Sequence, residues 1–83
     1  MNLDNRNNVY EDLNNIRITY VRAETRNENA NWSGSDVIRI QAYKGEGRTG
    51  GLHRGAEMPV NGSADMIDLA MVLLAIARDQ IGG

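Results

Sequence analysis

The sequence predicts an α+β fold: an antiparallel sheet of three to four strands followed by one C-terminal α-helix. Three observations predict it. Two segments near the middle alternate apolar and polar residues with a period of two. Turn-rich, glycine-rich stretches separate them from each other and from a third, shorter alternating run. The last twenty residues then carry the densest apolar segment of the chain, and strands followed by a helix argue for α+β rather than alternating α/β.

The first strand runs from Ile16 to Ala23. Ile16, Ile18 and Tyr20 point one way, and Arg17, Thr19 and Val21 the other, which is the pattern of a half-buried strand. Arg26 to Ser35 is a turn-rich connection that holds the only tryptophan, Trp32. The second strand is Val37 to Tyr43, with Ile38, Ile40 and Ala42 on one side and Val37, Arg39, Gln41 and Tyr43 on the other. Matching patterns suggest an antiparallel pair whose isoleucine face meets the helix. The segment from Lys44 to Gly55 has five glycines among twelve residues. Ala56, Met58 and Val60 then alternate with Glu57 and Pro59 as a third strand. Proline cannot donate to a ladder, so that strand belongs at an edge.

Asn61-Gly62 reads as a turn, with Ser63 capping the helix and Asp65 favourable in its first turn. From Met66 to Ala77 eleven of twelve residues are apolar, Asp68 being the exception. A helix lying on one core needs an apolar stripe only about 100° wide. Here Met66, Leu69, Ala70, Leu73, Ile76 and Ala77 form one stripe, and Ile67, Met71, Leu74 and Ile81 form a second beside it. The first is expected on the sheet and the second in a self-associating interface. Residues 1–15 hold six asparagines and few apolar groups, so they read as a mobile arm. Residues 16–83 then form one domain.

Composition narrows the function classes. Eighty-three residues lie near the lower limit for a self-sufficient core. With no cysteine, neither disulfides nor thiolate metal sites can supplement that core, and oligomerisation is the remaining common route. The lack of cysteine fits a cytoplasmic protein, and no secretory signal is expected. The apolar run Leu69–Ala77 is well short of the roughly 20 residues that span a bilayer, so no membrane partner is expected.

Net charge is −2, but it is unevenly spread. Residues 16–55 carry seven cations (Arg17, Arg22, Arg26, Arg39, Lys44, Arg48, Arg54) against Glu24, Glu28, Asp36 and Glu46, and both ends of the chain are acidic. Eight of the nine cations are arginine, whose planar fork suits phosphate and carboxylate and stacks on bases. If the two central strands pair, Arg17, Thr19, Arg39, Gln41 and Tyr43 share the face turned from the helix. Single-strand binders combine cations that track a backbone with rings that stack bases, and Trp32 adds a second platform. The alternative is an ordinary solvated face with Trp32 folded into the core.

The glycine-rich segment, with Lys44, Arg48, His53 and Arg54, is a second candidate. Its backbone N–H groups can approach a phosphate, though it is neither a Walker loop nor a dinucleotide fingerprint, and it reads equally as a plain hairpin connection. His53, the only histidine, has no cysteine or nucleophile beside it, so neither a metal nor a catalytic triad is expected. The chain is not expected to be an enzyme or to carry a cofactor.

The strand VIRIQAY (Val37–Tyr43), the basic glycine-containing loop ending in His53-Arg54-Gly55, the short strand AEMPV (Ala56–Val60) and the helix SADMIDLAMVLLAI (Ser63–Ile76) together carry a resemblance. From about Ile16 to Ala77 the chain resembles the transcriptional coactivator family called positive cofactor four, with its bacterial and phage relatives. The resemblance implies a curved sheet, a dimer formed through the helix region, and single-stranded DNA bound on the sheet. By similarity the nucleic-acid contacts would be Arg17, Arg39, Tyr43, Lys44, Arg48 and Arg54.

The leading expectation is therefore a homodimeric single-stranded DNA- or RNA-binding protein, an accessory factor in transcription or replication, with Tyr43 or Trp32 stacking. The alternative is a phage- or mobile-element-type interaction protein that inhibits or recruits a host protein through its acidic ends or the same Arg/Tyr/Trp face. A third reading is sequestration of a small nucleotide in the glycine-rich loop.

Overall fold

The computed structural model describes residues 1–82. Five strands, β1 (Asn2–Leu3), β2 (Val9–Leu13), β3 (Ile16–Val21), β4 (Asp36–Ala42) and β5 (Ala56–Val60), precede one helix, α1 (Gly62–Gly82). The strands form an open antiparallel meander in the order β1-β2-β3-β4-β5. The α+β class is as expected, with five strands rather than three to four.

The additional strands come from the segment expected as a mobile arm. β2 pairs with β3 from Val9↔Tyr20 to Leu13↔Ile16. The asparagines supply turn chemistry here. Asn7 and Asn14 take positive φ of 61° and 54°, a region that asparagine tolerates better than most residues. Asp4 closes the turn before β2, its Oδ1 accepting from the N–H of Arg6 at 2.8 Å and of Asn8 at 2.9 Å. Asn8 is buried; its Oδ1 accepts from the Arg22 N–H at 3.0 Å, and its amide donates to Thr25 Oγ1 at 2.9 Å. An asparagine-rich composition suggested disorder, but these amides replace backbone partners and so hold the strand in place.

The central pairing follows the alternation. β3 and β4 meet with Ile18↔Ile40 and Tyr20↔Ile38 on one face, and Arg17↔Gln41, Thr19↔Arg39 and Val21↔Val37 on the other. β5 adds Met58 beside Ile38 and Glu57 beside Arg39, with Pro59 opposite Val37, and it is an edge strand as Pro59 requires. Gly55, which leads into β5, has φ of 75°, and a Cβ there would lie 2.2 Å from the Ile40 carbonyl oxygen. Only glycine lets this segment come so close to β4.

The core is small and lies only partly where the sequence pointed, Ile38 being on the expected face. Val21, Val37 and Ile38 are the buried apolar residues. Val21 and Val37 belong to the face that carries the arginines. The connection between β3 and β4 is tied on both faces. Arg26 reaches Glu57 on the arginine face, while Asp36, on the isoleucine face, accepts from the Ala23 N–H at 2.8 Å through Oδ1 and from the Tyr20 hydroxyl through Oδ2. The isoleucine face is the open one, with Leu13, Ile40 and Met58 exposed.

Helix α1 departs most from expectation. It does not lie on the sheet, and none of its residues is buried. Its first turns face the sheet across a groove of about 380 Å³, where Asp65, Asp68 and Leu69 look onto Ile38, Ile40, Met58 and Val60. Asp65, expected to favour the first turn, ties the start, its Oδ2 accepting from the Asn61 N–H at 2.7 Å; Ser63, expected as the cap, lies inside the helix. Beyond that point both apolar stripes are exposed: Leu73 is 57 % exposed and Ile76 55 % on the first, and Met71 64 % and Ile81 88 % on the second. An apolar stripe shows that a face needs burial, but not which surface buries it.

Candidate nucleic-acid interface

The face opposite the isoleucines gathers most of the predicted site residues, in two clusters. Register alone explains the first. Asp12 on β2 is directly opposite Arg17 on β3, which is opposite Gln41 on β4. The Arg17 guanidinium forms a two-pronged pair with Asp12, Nε to Oδ1 at 2.8 Å and Nη2 to Oδ2 at 3.1 Å. The Tyr43 hydroxyl completes the triangle: it accepts from Arg17 at 2.7 Å and donates to Asp12 Oδ2 at 2.7 Å. Arg17 also sits 3.9 Å from the centre of the Tyr10 ring, and Arg48 5.1 Å from that of Tyr43. Both are cation–π distances. Arg48 donates to the Asn14 carbonyl and lies 3.6 Å from Asp12.

These contacts set the ionisation of the cluster. The bonds from Arg17 hold the Asp12 carboxyl down to about 2. The same carboxylate, accepting from Tyr43, pushes the Tyr43 hydroxyl above its ordinary value. Two arginines thus share one carboxylate and keep one net positive charge.

The second cluster repeats that stoichiometry. Glu57 on β5 accepts from Arg39 Nε at 2.7 Å through Oε2 and from Arg26 Nη2 at 3.1 Å through Oε1. Burial pushes the Glu57 carboxyl up, but the two guanidinium bonds outweigh it and leave it below the usual carboxylate range. The Arg26 side chain is 2 % exposed. Its Nη2 also donates to the Asn31 carbonyl, while its Nε is buried with no partner.

Beside this cluster lies an open groove of about 1010 Å³, lined among others by Arg6, Arg26, Asn29, Asn31, Trp32, Arg39, Gln41, Arg54 and Glu57. Trp32 takes a positive φ of 62° and is 52 % exposed, so it stands on the groove wall and is not a core plug. Gln41 donates to the His53 carbonyl at 3.0 Å and His53 N–H to the Ala42 carbonyl at 2.8 Å. These bonds hold residues 53–55 along β4 and set Arg54 on the groove rim.

The predicted residues therefore divide. Trp32, Arg39 and Arg54 line one groove. Arg17, Tyr43 and Arg48 form the neighbouring cluster and are engaged with one another and with Asp12. Lys44 is exposed on the glycine-rich loop and, like Arg54, is in no ion pair among the described residues. That loop closes on itself, with Lys44 N–H to Gly51 O at 2.8 Å and Gly50 N–H to Lys44 O at 3.0 Å. Those two N–H groups are already used within the loop. Ile67, Met71, Leu74 and Ile81, expected at an oligomer interface, are all exposed on α1.

Sequence reasoning missed Asp12 and Glu57, which organise the arginines, as well as Tyr10 and Arg26. The signal was available only through register: each acid sits directly across a strand pair from the arginine it binds. Among the described residues no cluster of histidine, aspartate and glutamate has the arrangement of a metal site, and no helix is long and apolar enough to cross a membrane. Compared with protein-family models, curated proteins and solved structures, the chain matches none, so the reading of its site rests on this geometry.

Proposed function

We propose that the protein binds single-stranded nucleic acid along the arginine face, without catalysis and as a homodimer, in the manner that the resemblance to the positive cofactor four family implies. The observation that carries the reading is the groove, where Arg39, Arg54 and a half-exposed Trp32 stand together among asparagines and Gln41. Bases stack on the Trp32 ring, a contact worth about 1–3 kcal/mol per base. Phosphates meet Arg54, Lys44 and Arg6, while Arg39 is held in place by Glu57. The asparagines and Gln41 offer both donors and acceptors to bases and sugars, so sequence preference is low.

The acidic residues on this face support the reading. Each carboxylate is shared by two arginines, so each cluster keeps a net positive charge and the groove wall beside Trp32 is held in one shape, which lowers the ordering entropy that binding costs. The surplus charge is modest. Binding through about three phosphates gives a salt slope near −2 on a log–log plot.

The test uses the only tryptophan. Titration with an oligodeoxythymidine of about 20 nucleotides at low salt should quench Trp32 fluorescence saturably, and a Trp32→Ala chain should bind at least tenfold more weakly. Unchanged fluorescence and no binding at low salt would overturn the reading and leave the groove to a protein partner.

A further inference from the structure

We propose that α1 of one copy seats on the open isoleucine face of a second copy, reciprocally, so that two sheets enclose the two helices in one shared core. This rests on the homodimer part of the reading above and is independent of nucleic-acid binding.

Surface area carries the inference furthest. The chain exposes 6269 Å², about 1400 Å² more than the ~4900 Å² expected of a compact monomer of this mass. A standard stable interface removes about 800 Å² from each partner, and obligate homodimers remove more. The radius of gyration is 14.2 Å, against ~12 Å for a compact domain of this length. Both excesses have one source: the helix and the isoleucine face each present apolar surface, and beyond the first turns of α1 neither covers the other.

Dimensions and chemistry fit the second copy. A 21-residue helix is about 31 Å long, and five strands span about 19 Å, so the helix crosses the whole sheet. Asp65, Asp68 and Asp79 against Arg78 make the helix acidic, which disfavours a phosphate-rich partner. A dimer formed by helix against helix alone would leave Leu13, Ile40 and Met58 in water, at 57 %, 43 % and 64 % exposure. With two sheets around two helices, Leu73 and Ile76, beyond the turns that face their own sheet, rest on the partner sheet, and Ile67, Met71 and Leu74 meet the partner helix. A helix that is apolar nearly all round is a buried helix, and this arrangement buries both stripes. Each arginine face then points outward, giving two separate grooves per dimer.

The test is solution mass by light scattering for the full chain, Met58→Asp and Leu73→Asp, with circular dichroism to check folding. The expected result is a dimer for the unmodified chain and a halved mass for both variants. A dimer that survives Met58→Asp but not Leu73→Asp would overturn the seating and keep the homodimer. A monomeric unmodified chain would overturn both, leaving the groove reading to the oligonucleotide titration. Should either variant fail to fold, cysteine cross-linking decides, since the chain has no cysteine of its own. A short bis-maleimide should join Met58→Cys of one copy to Leu73→Cys or Ile76→Cys of another, with Gln41→Cys on the opposite face as the unreactive control. Cross-links between helices only, with none to Met58→Cys, would contradict the seating.

Discussion

The two faces of this sheet are built from alternate residues of the same strands, yet they are completed differently. On the arginine face every prominent charge near the centre has a partner within the chain: Asp12 with Arg17, Glu57 with Arg26 and Arg39. Arg26 of the β3–β4 connection is fastened there, and Val37 is fully buried. On the isoleucine face the side chains are the better core formers, yet Leu13, Ile40 and Met58 remain in water. Polar networks close locally, because each hydrogen bond needs only one partner in reach. Apolar surface closes only when something large enough lies on it.

The comparison is most readily broken at Glu57. Replacing it with alanine strands the buried Arg26 guanidinium, and removal of one member of a buried pair typically costs about 3 kcal/mol or more. Urea unfolding of Glu57→Ala should show that loss; a change under 1 kcal/mol would mean that the arginine face is not held by this pair. Asn8→Ala should cost less, about 1–3 kcal/mol, the usual penalty for leaving a buried partner unsatisfied. The same unfolding curve reads it, and no effect would return the first fifteen residues to the status of a loose arm.

Asp12 sharpens the contrast through pH. Its folded carboxyl is held down to about 2 against an ordinary value of 3.8. A depressed carboxyl lends stability that is fully present above its unfolded value and drains as pH falls from about 4 through about 2. Carbon-detected titration should place Asp12 in that low range, and Arg17→Met should return it towards 3.8. The smallest effect belongs to the open face. At concentrations where the chain is dissociated, Leu13→Ser should change stability by no more than about 0.5 kcal/mol, as expected for an exposed position. The penalty should grow with protein concentration as the face is covered.

Much of the fold was legible because periodicity reports burial. The β3–β4 pairing, the faces of Arg17, Arg39 and Tyr43, the edge position of β5 and the extent of the helix all follow from alternation or helical spacing. β1 and β2 were not legible. Their asparagines resemble a disordered composition until the turns at Asn7 and Asn14 and the buried Asn8 amide are seen. The place of the helix was not legible either, because a hydrophobic stripe carries no address. At the site, the arginines and aromatic residues could be named, but their division into a locked triangle and an open groove could not. That division depends on Asp12 and Glu57 lying directly across the strands, a consequence of register that no single segment encodes.

The measurement that tests the central claim most directly is anisotropy of a fluorescent oligodeoxythymidine of about 20 nucleotides at two salt concentrations. It compares the unmodified chain with Arg54→Ala on the arginine face and Leu13→Ser on the isoleucine face. The account predicts binding that falls with salt, weakens at least fivefold in Arg54→Ala and is unchanged in Leu13→Ser. Binding that ignores salt and Arg54 but is lost in Leu13→Ser would contradict it, because the open apolar face would then be the functional one.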